Sequence, residues 1–373
     1  MEEEEAELSS VFVDSQHVAC GLAHTLTVDA EGSVWGLGSN QYGQLGAKGK
    51  DKGGIPQRLE LDVFVASVEC GYFHSACIDT QSRLWTFGRN ENGQLGVGDC
   101  LNRFEPTLVD NLPVASVSCG AYHTVCIDNS GDVWSFGYNE KGQLGLGDTR
   151  DRNLPSKIAS LHNILSVASG YVHTVFLTNS KLCFRAGAKL DRSGQVKKKV
   201  KKPELIKDIK NIEAIASGAY LILILTEDKE LYTIGYKEVN QFQANPPGLY
   251  STPTKLQWNE GETFPIAISC GYYHGAIIDS SGCLWTFGSK SQFRTGTNTT
   301  ALTMVEEVGS ISYSSSGGNH SMIKNSEDEI WVWGSSDKRQ LGEQRGFPTP
   351  ERFNNQYDSI IGRAKSKAKS ARK

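Results

Sequence analysis

The chain consists largely of short apolar runs separated by polar turns. In the stretch "HTVCIDNSGDVWSFG", which begins at residue 123, two runs of β-branched and aromatic residues flank an Asp-rich turn. This pattern predicts a β-hairpin. A second turn, Gly-Gln-Leu-Gly, comes next, and a Pro-x-x-apolar segment then predicts another short strand. No stretch has a convincing helical period, so the pattern indicates all-β structure with about four short strands in each unit.

This unit recurs with a period near 50 residues. Each copy contains a Gly-x-x-His anchor, except that Leu221 replaces His in the fifth. The anchor glycines are Gly21, Gly71, Gly120, Gly170, Gly218, Gly271 and Gly317. Eleven residues after the His, or after Leu221, there is always an aromatic residue. These are Trp35, Trp85, Trp134, Phe184, Tyr232, Trp285 and Trp331. The sequence therefore contains seven copies in register.

Seven four-stranded units predict a seven-bladed β-propeller over residues 8–355. We expect an acidic extension at residues 1–7 and a basic, disordered tail at residues 356–373. Residues 350–353 repeat the Pro-x-x-apolar segment, but no eighth unit follows, and the first unit lacks such a segment ahead of it. We therefore expect the C-terminal strand to pair with the first blade and close the ring.

Composition narrows the class of protein. The net charge is −4, and the nine cysteines are an odd number spread through apolar contexts, which favours reduced thiols over a disulfide framework. No apolar run approaches the roughly 18 residues of a membrane span. The acidic start differs from a secretory or mitochondrial leader. We expect a monomeric cytoplasmic or nuclear protein without a membrane partner.

Four copies place a Cys four residues before the anchor His, a spacing that suggests a metal site. Zinc, however, needs about four converging ligands, and copies related by a ring diverge. We therefore predict no metal or cofactor and a structural role for each anchor His, bonded to backbone within its own blade. These residues are His24, His74, His123, His173, His274 and His320. The tryptophans Trp35, Trp85, Trp134, Trp285 and Trp331 are periodic and are predicted to belong to the core.

Catalytic motifs are missing from the sequence. There is no Gly-x-Ser-x-Gly turn, and the Gly-Gln-Leu-Gly segments lack the Gly-Lys-Ser/Thr ending of a phosphate-binding loop. We predict no catalytic residues and no enzymatic activity.

The seven copies resemble the repeats of the regulator of chromosome condensation family over roughly residues 8–355. The resemblance implies a seven-bladed propeller. It also implies functions as different as guanine-nucleotide exchange on the small GTPase Ran, UV-B reception in plants, and protein interaction in ubiquitin ligases and ciliary proteins. The receptor's light-sensing Trp directly follows the anchor glycine, where this chain has no Trp. The exchange factor carries acidic or additional His residues in some Gly-x-x-His slots, where this chain has none.

Aromatic residues fill these slots on five successive copies. They are Tyr72, Phe73, Tyr122, Tyr171, Tyr220, Tyr272 and Tyr273. Such residues are typical of protein-binding hot spots, which predicts a docking face for a protein partner. The alternative is that the rings pack sideways on the adjacent blade, and the sequence leaves both interpretations open.

The turn after the fourth copy is rewritten with a cluster of lysines: Lys197, Lys198, Lys199, Lys201 and Lys202. Such a cluster can contact anions, including nucleic acid, or be an ordinary solvated loop. The sequence thus favours a non-catalytic protein-interaction platform. The alternative is an exchange factor for a Ran-like small GTPase, and a weaker one is an adaptor associated with chromatin or nucleic acid.

Overall fold

The computed structural model describes residues 18–29, 31–47, 56–190, 195–237, 248–258, 261–272, 274–288, 302–306, 308–327, 329–342 and 346–353. The extension at 1–7, the tail at 356–373 and Tyr273 lie outside these ranges. Within them the regular elements are antiparallel β-strands, here labelled β1 to β27. No helix in the described part of the chain is long and apolar enough to cross a membrane.

The strands follow one another around the ring in chain order. The first three blades contain β1 (Val18–Cys20), β2 (His24–Val28), β3 (Val34–Gly38), β4 (Gln57–Arg58), β5 (Val65–Cys70), β6 (His74–Asp79), β7 (Arg83–Gly88), β8 (Arg103–Cys119), β9 (His123–Asp128), β10 (Val133–Gly137) and β11 (Arg152–Lys157). The fourth and fifth contain β12 (Ile164–Ser169), β13 (His173–Thr178), β14 (Cys183–Leu190), β15 (Val196–Leu205), β16 (Ile212–Ser217), β17 (Leu221–Thr226), β18 (Leu231–Lys237) and β19 (Gly248–Leu256). The last two contain β20 (Pro265–Cys270), β21 (His274–Asp279), β22 (Leu284–Gly288), β23 (Thr303–Val305), β24 (Ile311–Ser316), β25 (His320–Asn325), β26 (Ile330–Gly334) and β27 (Phe347–Arg352).

Five sheets have four strands each, and one has seven because β8 serves two blades. The first part of β8 pairs with β7 as far as Pro113, and the second part pairs with β9 from Val114 onward. Dividing β8 at this point gives seven four-stranded blades. The predicted all-β propeller architecture is confirmed.

The hydrophobic core lies between neighbouring blades. One cluster joins Leu26 of the first blade to Val68 and Phe87 of the second, and a similar cluster lies at each of several other joints. Phe87 and Phe136 are completely buried, as expected for side chains between two packed sheets.

The predicted core tryptophans lie at the edge of the core, and Trp85, Trp134, Trp285 and Trp331 pack against its clusters. Trp35, Trp85, Trp134, Trp285 and Trp331 are only half-buried, and the fully buried positions are two residues further along the same strands. In four blades the indole Nε1 donates to the Asp six residues earlier in the hairpin turn, at 2.8 to 3.0 Å. In the fourth and fifth blades Thr178 and Thr226 replace this Asp, and Phe184 and Tyr232 replace the Trp. In the four blades that have the Trp–Asp pair, the turn thus holds the indole N–H.

The Gly-Gln-Leu-Gly turns are closed by their own side chains. The Asn90 Oδ1 accepts from the Leu95 N–H, and the Gln94 Oε1 accepts from the Asn92 N–H, each at 2.9 Å. The Leu95 side chain is fully buried. The turn therefore presents a fixed Gln backbone carbonyl to the next blade.

The prediction that the C-terminal strand completes the first blade is wrong. β27 pairs with β26 in the seventh blade, and the first blade has its own fourth strand, β4. The Pro-x-x-apolar segment ends the unit that precedes it and does not open the next one. The seventh and first blades meet without strand pairing between β27 and the first blade: the Gly318 N–H donates to the Gly21 carbonyl at 2.9 Å, and the Cys20 N–H donates to Ser315 Oγ at 3.0 Å.

Candidate functional site

The seven anchor glycines surround the central axis. A Cβ on any one of them would overlap the carbonyl oxygen of the next, from Gly21 to Gly71 and onward to Gly317, whose neighbour is again Gly21. Only glycine permits this approach of one backbone to another. The central channel within the ring holds a cavity of about 70 Å³. This is room for a few water molecules and far less than the roughly 300 Å³ of a small-molecule site.

The anchor histidines connect neighbouring blades. His24 Nε2 lies 2.9 Å from Ser75 Oγ, and His123 Nε2 lies 2.9 Å from Thr174 Oγ1. The remaining cross-blade pairs are His74–Thr124, His173–Ser217, His274–Ser321 and His320–Thr25. The predicted bond to backbone within the same blade is therefore wrong. The side chain reaches a hydroxyl on the next blade, because the imidazole lies between two stacked sheets.

The hydroxyl group fixes the tautomer of the imidazole. Ser75 Oγ donates to the Gln44 carbonyl at 2.8 Å, and Thr124 and Thr174 donate in the same way to Gln94 and Gln143. Since a hydroxyl has one hydrogen, the His Nε2 must be the donor in the other bond. Burial lowers the pKa of His24, His74, His123, His173 and His320 to about 3. These imidazoles are therefore neutral at physiological pH, and those bonded to Thr25, Ser75, Thr124 and Thr174 are donors.

The cysteines beside the anchors line the channel. Cys20, Cys70, Cys119 and Cys270 are free thiols, and burial raises the pKa of Cys20 to about 12 and raises the other three as well. Thiols held protonated in this way are poor nucleophiles and poor metal ligands. In the part of the chain that the structure describes, no three His, Cys, Asp or Glu side chains are grouped so as to hold a metal ion.

The slot aromatics meet at one mouth of the channel. We define the aromatic mouth as Tyr72, Phe73, Tyr122, Tyr171, Tyr220 and Tyr272. The ring of Tyr72, on the second blade, lies 5.5 Å from those of both Tyr171 and Tyr272, on the fourth and sixth blades. Contacts between blades that are not neighbours require side chains that point toward the axis. The rings therefore pack on one another across the channel.

Each ring of the aromatic mouth remains half-buried. The Tyr72 hydroxyl is the exception, since it is buried and has no hydrogen-bond partner among the described residues. Burial raises the pKa of Tyr72, with neighbouring tyrosines adding to the effect, and burial also raises the pKa of Tyr122. Each ring of the mouth thus has one part packed on its neighbours and another part accessible to solvent. The arrangement has features of both interpretations of the sequence, the docking face and the packing of rings on adjacent blades.

Three further residues extend the aromatic mouth and were missed in the sequence. The Arg89 guanidinium carbon lies 5.1 Å from the ring centre of Tyr42, 5.7 Å from Phe73 and 5.4 Å from Tyr122, within reach of cation–π attraction. Arg89 also pairs with Glu91 at 2.5 Å. Tyr138 places its ring 6.3 Å from Tyr122. Arg89 and Tyr138 each directly follow the glycine that ends a third strand, a register that could have marked them.

The lysine cluster lies on β15, the outer strand of the fourth blade. Here β14 continues past Gly187, and the register Ala188↔Lys199 and Lys189↔Lys198 forms a longer hairpin at the end of the blade that carries the mouth. We define the lysine border as the five predicted residues, Lys197, Lys198, Lys199, Lys201 and Lys202. All five side chains are exposed.

The lysine border is only partly neutralised. Lys198 pairs with Glu204, which also pairs with Lys189 at 2.8 Å, and Lys199 lies 3.8 Å from Glu140. Lys197, Lys201 and Lys202 form no ion pair with any described residue. The border therefore has excess positive charge.

Successive blades around a glycine-lined axis, with aromatic rings at one mouth of the channel, define a repeat β-propeller. The RCC1-like domain model matches residues 2–257, and the regulator of chromosome condensation (RCC1) repeat matches residues 266–293. The chain belongs to the RCC1-like family.

Two relatives in this family have names that indicate different roles or compartments. The mitochondrial RCC1 domain-containing protein RUG3 of Arabidopsis thaliana is 31% identical over 203 residues, covering 48% of this chain and 44% of that protein. The human regulator of chromosome condensation is 27% identical over 231 residues, covering 52% and 54%. The chain thus spans about half the length of these curated relatives.

Solved structures agree with the fold. Prp20p from Saccharomyces cerevisiae, described with its binding properties to Gsp1p and histones, superimposes with a TM-score of 0.77 at 20% identity, covering 93% of this chain and 90% of that one. This superposition shows the propeller fold.

Proposed function

We propose that the protein is a non-catalytic docking platform that binds a protein partner through the aromatic mouth. The observation that carries this proposal is the set of six half-buried rings gathered from five blades at one end of the channel. Aromatic side chains provide large contact area at low entropic cost, and they dominate binding hot spots.

The support below the rings makes the surface rigid. Tyr72 and Tyr122 follow anchor glycines that contact the next blade, and each precedes a buried His bonded to that blade. Arg89 lies against rings from three blades. A surface organised before binding loses little entropy when a partner docks.

Affinity purification with the intact protein tests this function. The double variant Tyr122→Ala/Tyr171→Ala should lose the partners that the unchanged protein captures, since truncating hot-spot aromatics typically costs about 2 kcal/mol or more, roughly thirtyfold in affinity. Phe104→Ala is the matched control, because Phe104 is 47% exposed on β8 and outside the mouth.

Melting curves of both variants separate binding from folding. A Tyr122→Ala/Tyr171→Ala protein that melts normally and still captures the same partners would contradict the proposal. Loss of partners with Phe104→Ala as well would place the docking surface elsewhere.

Guanine-nucleotide exchange on a Ran-like GTPase is the second candidate, favoured by membership of the family. The mouth offers aromatic rings, and the described Gly-x-x-His slots contain no carboxylate or additional imidazole. We expect a Ran-like GTPase loaded with a fluorescent guanine nucleotide to release it at the same rate with and without the protein. Acceleration above about tenfold, roughly 1.4 kcal/mol in the barrier, would make exchange the better candidate.

The compartment is part of the proposal. Nine cysteines without a disulfide framework suit a reducing compartment, so we propose the cytoplasm or the nucleus. RUG3, in contrast, is a mitochondrial protein by name.

A further inference from the structure

Resting on the proposed function, we infer that the partner's docking segment has an acidic flank, which leaves the aromatic mouth over the third blade and contacts the lysine border of the fourth. The mouth would take apolar or aromatic anchors of the segment, and the border would take its carboxylates.

The two surfaces are connected by direct contacts. The Tyr122 ring lies 6.3 Å from Tyr138, whose hydroxyl donates to Glu140. Glu140 lies 3.8 Å from the Lys199 ammonium. The path from the aromatic centre to the basic strand therefore crosses only two side chains. An extended segment of about six residues, near 3.3 Å each, is long enough to contact both surfaces.

The charges along this path determine the sign of the flank. On the mouth side, Arg89 is paired with Glu91, and Glu140 is paired with Lys141 at 2.6 Å as well as facing Lys199. The three lysines without an ion pair to a described residue are the surplus. A segment with Asp or Glu in its flank would gain attraction there, and a basic flank would be repelled.

The arrangement fits a protein segment better than a nucleic acid. An aromatic centre with a charged border is the usual organisation of a protein interface, where lysine is depleted at the core and charge lies at the rim. The border itself has no aromatic side chain on which a base could stack.

A phage-displayed library of random 16-residue peptides, selected on the intact protein, tests the inference. We expect enriched peptides to combine aromatic or apolar residues with Asp and Glu on one side. The binding of such a peptide should fall about tenfold with Lys197→Glu/Lys201→Glu at low salt, and the difference should shrink in 0.5 M salt because the border is exposed. These two lysines have no ion pair with a described residue to lose, so folding should be unaffected.

The matched control is Lys207→Glu/Lys210→Glu, which reverses two exposed lysines in the turn after β15 and should leave binding unchanged. Enriched peptides without acidic bias, or with binding indifferent to Lys197→Glu/Lys201→Glu, would overturn the inference. If the binding of these peptides still falls with Tyr122→Ala/Tyr171→Ala, only the inference about the acidic flank is wrong and the proposed function stands. If their binding is also indifferent to Tyr122→Ala/Tyr171→Ala, the proposed function is contradicted as well. A fluorescein-labelled 20-base-pair DNA duplex that binds more tightly than the peptides, and is released by the lysine reversal, would also overturn the inference.

Discussion

The joint between the second and third blades and the joint between the fifth and sixth use opposite chemistry at the same place. In the first, the imidazole of His74 bonds to the hydroxyl of Thr124 at 2.9 Å. In the second, Leu221 replaces the His, and Gly275 occupies the position of the hydroxyl-bearing residue. A Cβ on Gly275 would overlap the Phe287 ring, so an aromatic side chain fills the space.

At these two joints the polar pair is present or absent as a unit. A buried donor without its acceptor costs more than a hydrogen bond contributes, whereas replacing both partners by apolar groups can be nearly neutral. The fifth blade follows that logic throughout β17, "LILILT", in which every residue is buried. The joint on its other side is intermediate: Ile222 has no hydroxyl, and His173 bonds to Ser217 instead, at 2.8 Å.

The largest expected effect is a dependence of folding stability on pH, which arises at the joints that contain a buried His. The folded pKa of the five buried histidines is about 3, below the unfolded value of about 6.5, so the unfolded state binds more protons between these values. Stability should therefore fall as pH falls below about 6.5, by at most about 1.4 kcal/mol per pH unit for each histidine. Urea unfolding at pH 7, 6 and 5 measures it.

His123→Leu, which gives the third blade the residue of the fifth, should make this pH dependence shallower. A midpoint that stays constant or rises between pH 7 and pH 5 would contradict the assignment of these imidazoles as neutral buried donors.

The next effect comes from placing a His at the apolar joint between the fifth and sixth blades. Leu221→His should destabilise the protein by about 2 kcal/mol, because Gly275 offers no hydroxyl to the buried imidazole. The alignment of the repeats alone favours tolerance of His here, since six other copies have it. Leu221→Met keeps the apolar contact and is the control, with an expected cost below about 1.5 kcal/mol. Equal melting temperatures for Leu221→His and the unchanged protein would show that a partner exists.

The smallest effect concerns the hairpin turns, where the blades differ in the same paired way. Trp134→Phe removes the indole that donates to Asp128 at 2.8 Å and should cost about 1 kcal/mol, as the pair is only half-buried. Adding Asp128→Thr recreates the Thr–Phe pair of the fourth blade and should recover part of the loss. Additive losses in the double variant, measured by urea unfolding, would contradict a coupling between the two positions.

The fold was predictable because the glycines and aromatics recur at fixed distances, and these positions specify turns and buried strands. Which neighbour a strand pairs with is not contained in that periodicity, so the segment around Pro350 was assigned to the wrong blade. The partners of five of the six histidines were in principle visible, because Thr25, Ser75, Thr124, Thr174 and Ser321 directly follow an anchor His. Recognising it required knowing that adjacent blades present these two positions to each other.

The candidate site was predictable only in outline. The spacing identified the slots of Tyr72 and Tyr122, but a backbone pattern does not show whether a ring points toward the axis or along the sheet. Arg89 contacts rings of three blades. Two of these rings, Tyr42 and Tyr122, belong to other repeats and are distant from Arg89 in the sequence. The lysine border was found from composition, while its connection to the mouth depends on Tyr138 and Glu140.

Each described blade is formed by consecutive residues, and Thr25 bridges His320 and the Gln340 carbonyl at the last joint just as Ser75 bridges His24 and Gln44 at the first. The architecture therefore does not require the polypeptide to be open between the seventh and the first blade. A permuted chain that opened with β12 and finished with β11 would retain every strand pairing within its blades. It follows that the order of the repeats in the chain and the geometry of the ring are separable properties, and that whole repeats are the natural units of rearrangement in this protein.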